Sequence, residues 1–180
     1  MDAIGEQSLQ WFAAERVEAE PDLAALVHDY SSLLYRVALS LTRNPSEAED
    51  VVQDVFLRVL QRQQELAAIV DLRPWLVRIA WNLALDRRRR VRPQQMDDLF
   101  AEALVAADLP ADQALDEAAR IRQVLGAIER LPGKERHALL LSAMDELTSA
   151  EIAAVLRRSE SSVRSLLFRA RAHLRQRLED

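Results

Sequence analysis

The side chains of this 180-residue sequence that could do chemistry are suited to holding anions and bases, not to making or breaking bonds. There is no cysteine, which removes disulfides and thiolate metal sites. His28, His137 and His173 are scattered without ligand spacing, so each reads as a solvated or packed residue rather than a metal ligand. Acids are plentiful but fall on amphipathic faces or in one acidic stretch. No nucleophile–base constellation and no glycine-rich phosphate loop accompanies them, so neither an enzyme nor a cofactor is expected. What stands out is arginine, whose planar and permanently charged fork suits phosphates and base edges. Arg73 to Arg92 holds seven arginines against Asp86 alone, and Arg157 to Leu178 holds seven against Glu160 alone. Between them, Gln94 to Ala119 carries seven acids and no basic residue. The net charge of −5 argues against nucleic acid, whereas this distribution suggests two DNA-facing modules on an acidic linker. Two solvated helix faces would give the same charges.

Spacing assigns these residues to helices. Leu23 to Thr42 shows an apolar stripe at 23, 26, 27, 30, 34, 37, 38 and 41, ended by Asn44-Pro45. Ser46 with Glu49 reads as a capping box opening a second helix near Glu47. Its predicted core stripe is Ala48, Val51, Val52, Val55, Val59 and Leu60. The opposite face carries Asp50, Gln53, Asp54 and Leu57 at i, i+3, i+4, i+7, a candidate surface for a protein partner. Gln61 to Leu72 reads as a loop with a helical turn. Pro74 suits the first position of a third helix with Trp75, Leu76, Ile79, Ala80 and Leu83 inward. Arg78, Trp81, Asn82, Leu85, Asp86 and Arg89 lie on its other sides, a mixture able to hold phosphates and unpaired bases. A buried Trp81 is the competing reading.

After a segment with few patterns, from about Val91 to Asp116, three or four further helices are expected. Fully extended, such a segment reaches roughly 80 Å, two turns of duplex. Ile121, Val124, Leu125 and Ile128 form one stripe, ending at Leu131-Pro132, and Ala138, Leu139, Leu141 and Ser142 belong to the next helix. Thr148 with Glu151 is a second capping box, opening a short helix. The tight connection Arg157-Arg158-Ser159 leads to a longer helix with Val163, Leu167, Ala170 and Leu174 inward. Short helix, tight turn and long basic helix make a helix-turn-helix. Ser161, Ser162, Arg164, Ser165, Phe168 and Arg169 lie where base edges and phosphates would be met.

Composition agrees with an all-α fold of two small helical domains joined by a flexible linker. Glycine is rare, and alanine, leucine, arginine, glutamine and glutamate recur, while strand and hairpin signals are nearly absent. The expected divisions are an N-terminal extension (1–22), a first domain (23–92), a linker (93–116) and a helix-turn-helix domain (117–180). Leu9, Phe12, Ala13 and Val17 would give the extension one short helix of marginal stability. The acidic start and the lack of a ~20-residue apolar run predict a cytoplasmic protein without membrane insertion.

At this point the residues resemble a family, the extracytoplasmic-function (ECF) sigma factors of bacterial RNA polymerase. Ala48-Glu49-Asp50-Val51-Val52-Gln53-Asp54-Val55-Phe56-Leu57 is similar to their polymerase-binding helix. The run from Arg73 through Arg78, Trp81 and Asn82 to Asp86 resembles their promoter-melting helix. Glu151-Ile152-Ala153, Ser162-Val163-Arg164-Ser165 and Arg169-Ala170-Arg171 resemble their promoter-reading helix-turn-helix. The likeness runs from about Leu23 to the C-terminus. It implies a first domain (region 2) that binds the β′ clamp helices of core RNA polymerase through Asp50, Gln53, Asp54, Phe56 and Leu57. The same domain would open promoter DNA at the −10 element with Arg78, Trp81, Asn82, Asp86, Arg89 and Arg90. The second domain (region 4) would touch the β flap and read the −35 element with Ser161, Ser162, Arg164, Ser165, Phe168, Arg169 and Arg171. With no added C-terminal domain expected, regulation would come from a separate anti-sigma factor. The sequence departs from the family at Ser161-Ser162, usually Gly-Thr, and at Arg157, often glycine. Leu166 stands where an arginine is common, removing a possible phosphate contact. An ordinary helix-turn-helix regulator would explain residues 121–178, but neither the second-helix face nor the basic third helix.

Overall fold

The computed structural model describes residues 22–90, 111–144 and 147–179, and every regular element among them is helical. The proposed helix of the N-terminal extension, and the linker up to residue 110, lie outside the described residues. Helix α1 spans Leu23–Thr42, α2 Pro45–Gln61 and α3 Leu72–Arg90, with a 3-10 helix at Gln63–Ala68 before α3. Then come α4 (Ala111–Glu129), α5 (Gly133–Ser142), α6 (Ser149–Leu156) and α7 (Glu160–Glu179). Helix α4 therefore starts inside the segment expected to be linker.

The first three helices form one bundle around Leu33, Leu34, Val37 and Leu41 of α1, Val51, Val55 and Val59 of α2, and Leu76, Val77 and Ala80 of α3. The cap of α1 is the Asp22 carboxylate, which accepts the Ala24 N–H at 3.0 Å. Its end is a left-handed Arg43 (φ 51°), whose N–H returns to the Leu39 carbonyl at 2.9 Å. The expected box on Ser46 is corrected. Asn44 caps α2 by accepting the Glu47 N–H at 3.2 Å, and Pro45 takes the first helical position. A proline there leaves no donor unpaired and presets φ, so the earlier oxygen takes the cap.

Two predicted core stripes change through tertiary packing. On α2, Phe56 is buried and Leu60 exposed, the reverse of the predicted stripe. On α3, the buried line is Val77, Ala80, Trp81 and Ala84 together with Leu76, whereas Trp75, Ile79 and Leu83 are half-covered. The reason is that α3 is covered on two sides, by α1 and α2 on one and by α6 on the other. Pro74 sits at the third residue of α3, still inside the first turn where no amide is needed.

The C-terminal helices enclose Leu131, Ala138, Leu141, Ile152, Val155, Val163, Leu167 and Ala170, with α4, α5 and α6 all packed on α7. The capping box of α6 is present in both directions, between Thr148 and Glu151. Leu166 is buried in this core, so it does not occupy a phosphate-facing position. The turn into α7 passes through Arg157 at φ 52°, a conformation that disfavours any residue with a Cβ. Arg157→Gly should raise unfolding free energy by about 0.5–1 kcal/mol in urea titrations without changing the slope.

The bundles meet where the Trp81 ring of α3 stands edge-on to the His137 ring of α5, 5.3 Å apart at 81°. Burial pushes the His137 imidazole below the usual histidine range, and the positive charges of Arg136, Arg88 and Arg89 add to the effect. The unfolded chain, with its histidine near ~6.5, therefore takes up the proton first as pH falls. Stability should be full above about pH 6.5 and decline as pH drops from there towards the folded-state value. Denaturant titrations from pH 7.5 to 5.5 should show this decline in the wild type and a shallower one in His137→Gln.

Candidate DNA and partner interfaces

Helix α2 presents Asp50, Gln53 and Leu57 to solvent along one line, with Leu57 54% exposed. Asp54 stands beside this line and is partly drawn inward, because Arg87 of α3 reaches its carboxylate at 2.7 Å. The same guanidinium donates to the Glu47 carbonyl at 3.0 Å and lies 3.9 Å from Asp50. Arg87 thus fixes the acids of α2 from below and leaves their other sides open. Phe56 does not share the surface. At 9% exposed it packs into the bundle, so its contribution is to hold α2 in register, a correction to its expected place in a contact face.

On α3, Asn82, Asp86, Arg89 and Arg90 are exposed and Arg78 is half-exposed. Arg78, Asn82, Asp86 and Arg89 recur at three- or four-residue spacing and so share one side of the helix. Asp86 and Arg89 pair at 3.6 Å. Arg78 borders an open groove with Arg58, Gln61, Arg62 and Trp75, neighbours that sequence spacing alone did not supply. Trp81 is 3% exposed and belongs to the core, so the competing reading of this residue holds and it is not on the open face.

Helix α7 gives the most coherent surface. Ser161, Arg164, Ser165, Phe168 and Arg171 are all exposed, and Phe168, at 75%, is an aromatic ring held in water. Such a ring is ready to meet an apolar edge. Arg164 pairs with Glu160 one turn earlier at 2.8 Å, a surface pair weak enough to give way to a stronger anion. Ser162 is half-buried, its N–H donating to the Ser159 hydroxyl at 3.2 Å in a side-chain cap. The Ser165 hydroxyl donates to the Ser161 carbonyl at 3.0 Å.

Arg169 does not follow the stripe. It turns to Glu135 of α5 at 3.4 Å, and His173 Nδ1 meets the other oxygen of that carboxylate at 2.8 Å. Glu135 is buried, so a paired acid anchors α7 from behind. A second missed acid is Glu129, which ends α4. Arg43 reaches its carboxylate at 2.6 Å, Arg136 at 3.3 Å, and Arg88 pairs with the same group. Burial lowers the Arg136 guanidinium from its ordinary value. Glu129 opposes that shift, and the charges of Arg88 and Arg43 reinforce it. No signal in the sequence marked either glutamate, because their partners are distant in the chain.

No described helix is long and apolar enough to cross a membrane. Among families of known proteins, Sigma-70 region 2 matches residues 26–93 and Sigma-70, region 4 matches residues 121–174, together more than half of the chain. A probable RNA polymerase sigma factor, RfaY of Xanthomonas campestris pv. campestris, is 37% identical over 147 residues, covering 79% of this chain and 36% of that protein. The ECF RNA polymerase sigma factor SigW of Bacillus subtilis is 31% identical over 170 residues, covering 87% of this chain and 89% of SigW. The solved structure of CnrH in complex with the cytosolic domain of CnrY superposes with a TM-score of 0.65 at 26% identity, covering 87% of each chain. The two regions fall on the two bundles, one bearing the open faces of α2 and α3 and the other the helix-turn-helix: the chain belongs to the sigma-70 family, as a sigma factor of the ECF group.

Proposed function

We propose that this protein binds core RNA polymerase through the outer face of α2, reads the −35 element with α7 and opens the −10 region with the exposed side of α3. The observation that carries this reading is the pairing on one bundle of two unlike open faces. Asp50, Gln53 and Leu57 suit a protein groove, whereas Arg78, Asn82, Asp86 and Arg89 suit a separated strand. An ordinary helix-turn-helix regulator has no use for both. On α7, Ser161, Arg164, Ser165 and Phe168 face base edges in the major groove, Phe168 against a thymine methyl, and Arg171 holds the backbone. Arg169 reaches phosphate from a position held by Glu135. The second bundle also touches the β flap.

The protein acts as a specificity subunit in the cytoplasm and carries no catalysis of its own, the chemistry belonging to the polymerase. Its fitting regulator is an anti-sigma protein that covers the α2 face, because one partner clamped there silences both bundles.

Run-off transcription with reconstituted holoenzyme tests this reading. Asp50→Ala with Gln53→Ala should weaken core association in an anisotropy titration while circular dichroism stays unchanged. Wild-type affinity in that double variant would remove α2 as the polymerase face. On a −35 promoter library, Arg164→Ala should lose ~1–3 kcal/mol on the preferred sequence and relax preference at one position. Unaltered strength and preference would mean that another part of the molecule enters the groove.

A further inference from the structure

Glu135 is a charged side chain buried where α5 meets α7, and two side chains of α7 share it. Arg169 and His173 stand one turn apart on α7, so both reach the first turn of α5, where Glu135 lies. Their holds are unequal. His173 Nδ1 lies 2.8 Å from one carboxylate oxygen, and Arg169 Nε lies 3.4 Å from the other. A carboxylate only accepts, so Nδ1 is the donor in the shorter bond. The positive end of α5 adds a further favourable field at this acid.

Exposure separates what the partners can do besides. The Glu135 side chain is 8% exposed, whereas that of Arg169 is 53% exposed. Only the Nε of Arg169 is engaged, and its two terminal nitrogens have no partner among the described residues. Arg169 follows Phe168 in the chain, so this guanidinium borders the exposed stripe of α7. A phosphate beside that stripe offers two parallel charge-assisted bonds in place of one long bond. What opposes the exchange is the acid left behind. A buried carboxylate stripped of its last partner is strongly unfavourable, so an arginine holding Glu135 alone would be tied to it. Here His173 stays on the carboxylate.

We propose that His173 is a positioning residue for −35 recognition: it keeps the Glu135 carboxylate hydrogen-bonded while Arg169 transfers from that carboxylate to a promoter phosphate. This rests on the assignment of α7 to the −35 element. His173 does not itself meet DNA. The His173–Glu135 bond keeps α7 docked on α5, and a single guanidinium changes partner. Without His173 the transfer strands Glu135, and Arg169 is held back from the backbone.

Run-off transcription by holoenzymes carrying the full chain, measured against promoter concentration, tests this. His173→Ala should raise the half-saturating promoter concentration about 10-fold, the scale of one hydrogen bond to a charged group, while the maximal rate holds. His173→Asn, whose amide still offers a donor close to Cβ as Nδ1 does, should stay within ~3-fold of wild type. In a Glu135→Gln background, where no charge is left to strand, His173→Ala should change promoter dependence by less than ~2-fold. A mere packing role for His173 predicts equal losses in both backgrounds and no rescue by asparagine. Either of those results overturns the proposal, as does a His173→Ala holoenzyme with wild-type promoter dependence. Should His173→Ala lose helicity in circular dichroism, His173→Leu, which fills the space without a donor, takes its place with the same expected loss. Arg164→Ala on the −35 library runs alongside. Relaxed preference there with His173→Ala unaffected removes only the role of His173, and unaltered preference removes the −35 reading as well.

Discussion

Helix α3 is buried on two sides, and most of the molecule's geometry follows from that. Against α1 and α2 it closes the first bundle through Leu76, Val77 and Ala80. Against α6 it carries apolar contact into the second bundle. A helix covered on two sides has a narrow strip left for solvent, and that strip holds Asn82, Asp86 and Arg89. The face of α3 proposed to meet DNA is therefore what packing leaves over. Ala80 and Ala84 are both fully buried for the same reason, so larger side chains there should destabilise the fold.

Charge is then organised around this helix. The arginines at its C-terminal end suit the negative end of the helix dipole, but they do not act alike. Arg87 turns to the acids of α2, Arg88 to Glu129, and Arg89 and Arg90 remain at the surface. One run of four identical residues thus braces the first bundle, contacts the second and faces solvent. The acid–base arrangement of α7 is simpler, with Glu135 behind the helix and cations in front.

Local signals were the legible ones. The Thr148–Glu151 box and the tight turn into α7 are each written within a few residues, and the structure reproduces them, whereas the α1 stripe holds except that Val27 is exposed and Leu33 is buried in its place. The α2 cap was misread because Asn44 and Ser46 both offer an oxygen and only the backbone decides between them. Trp81 was ambiguous for a different reason. A helix packed on one side would have left it out, and the second side is created by α6, far along the chain. The Glu129 and Glu135 pairings join residues up to 86 positions apart and leave no periodic trace. The α2 and α7 surfaces could be listed from spacing, but Phe56, Leu60 and Arg169 were sorted only by three-dimensional packing.

The division of labour on α7 has a consequence for how such proteins diversify. Val163, Leu166, Leu167 and Ala170 hold the helix to its bundle, while Ser161, Arg164, Ser165 and Phe168 contribute nothing to that core. Substitutions at the outer positions change what the helix meets without weakening what holds it, since exposed sites rarely alter stability by more than ~0.5 kcal/mol. On the proposed reading of α7, a duplicated copy could therefore change the promoters it meets by surface substitution while the residues that hold its fold stay as they are.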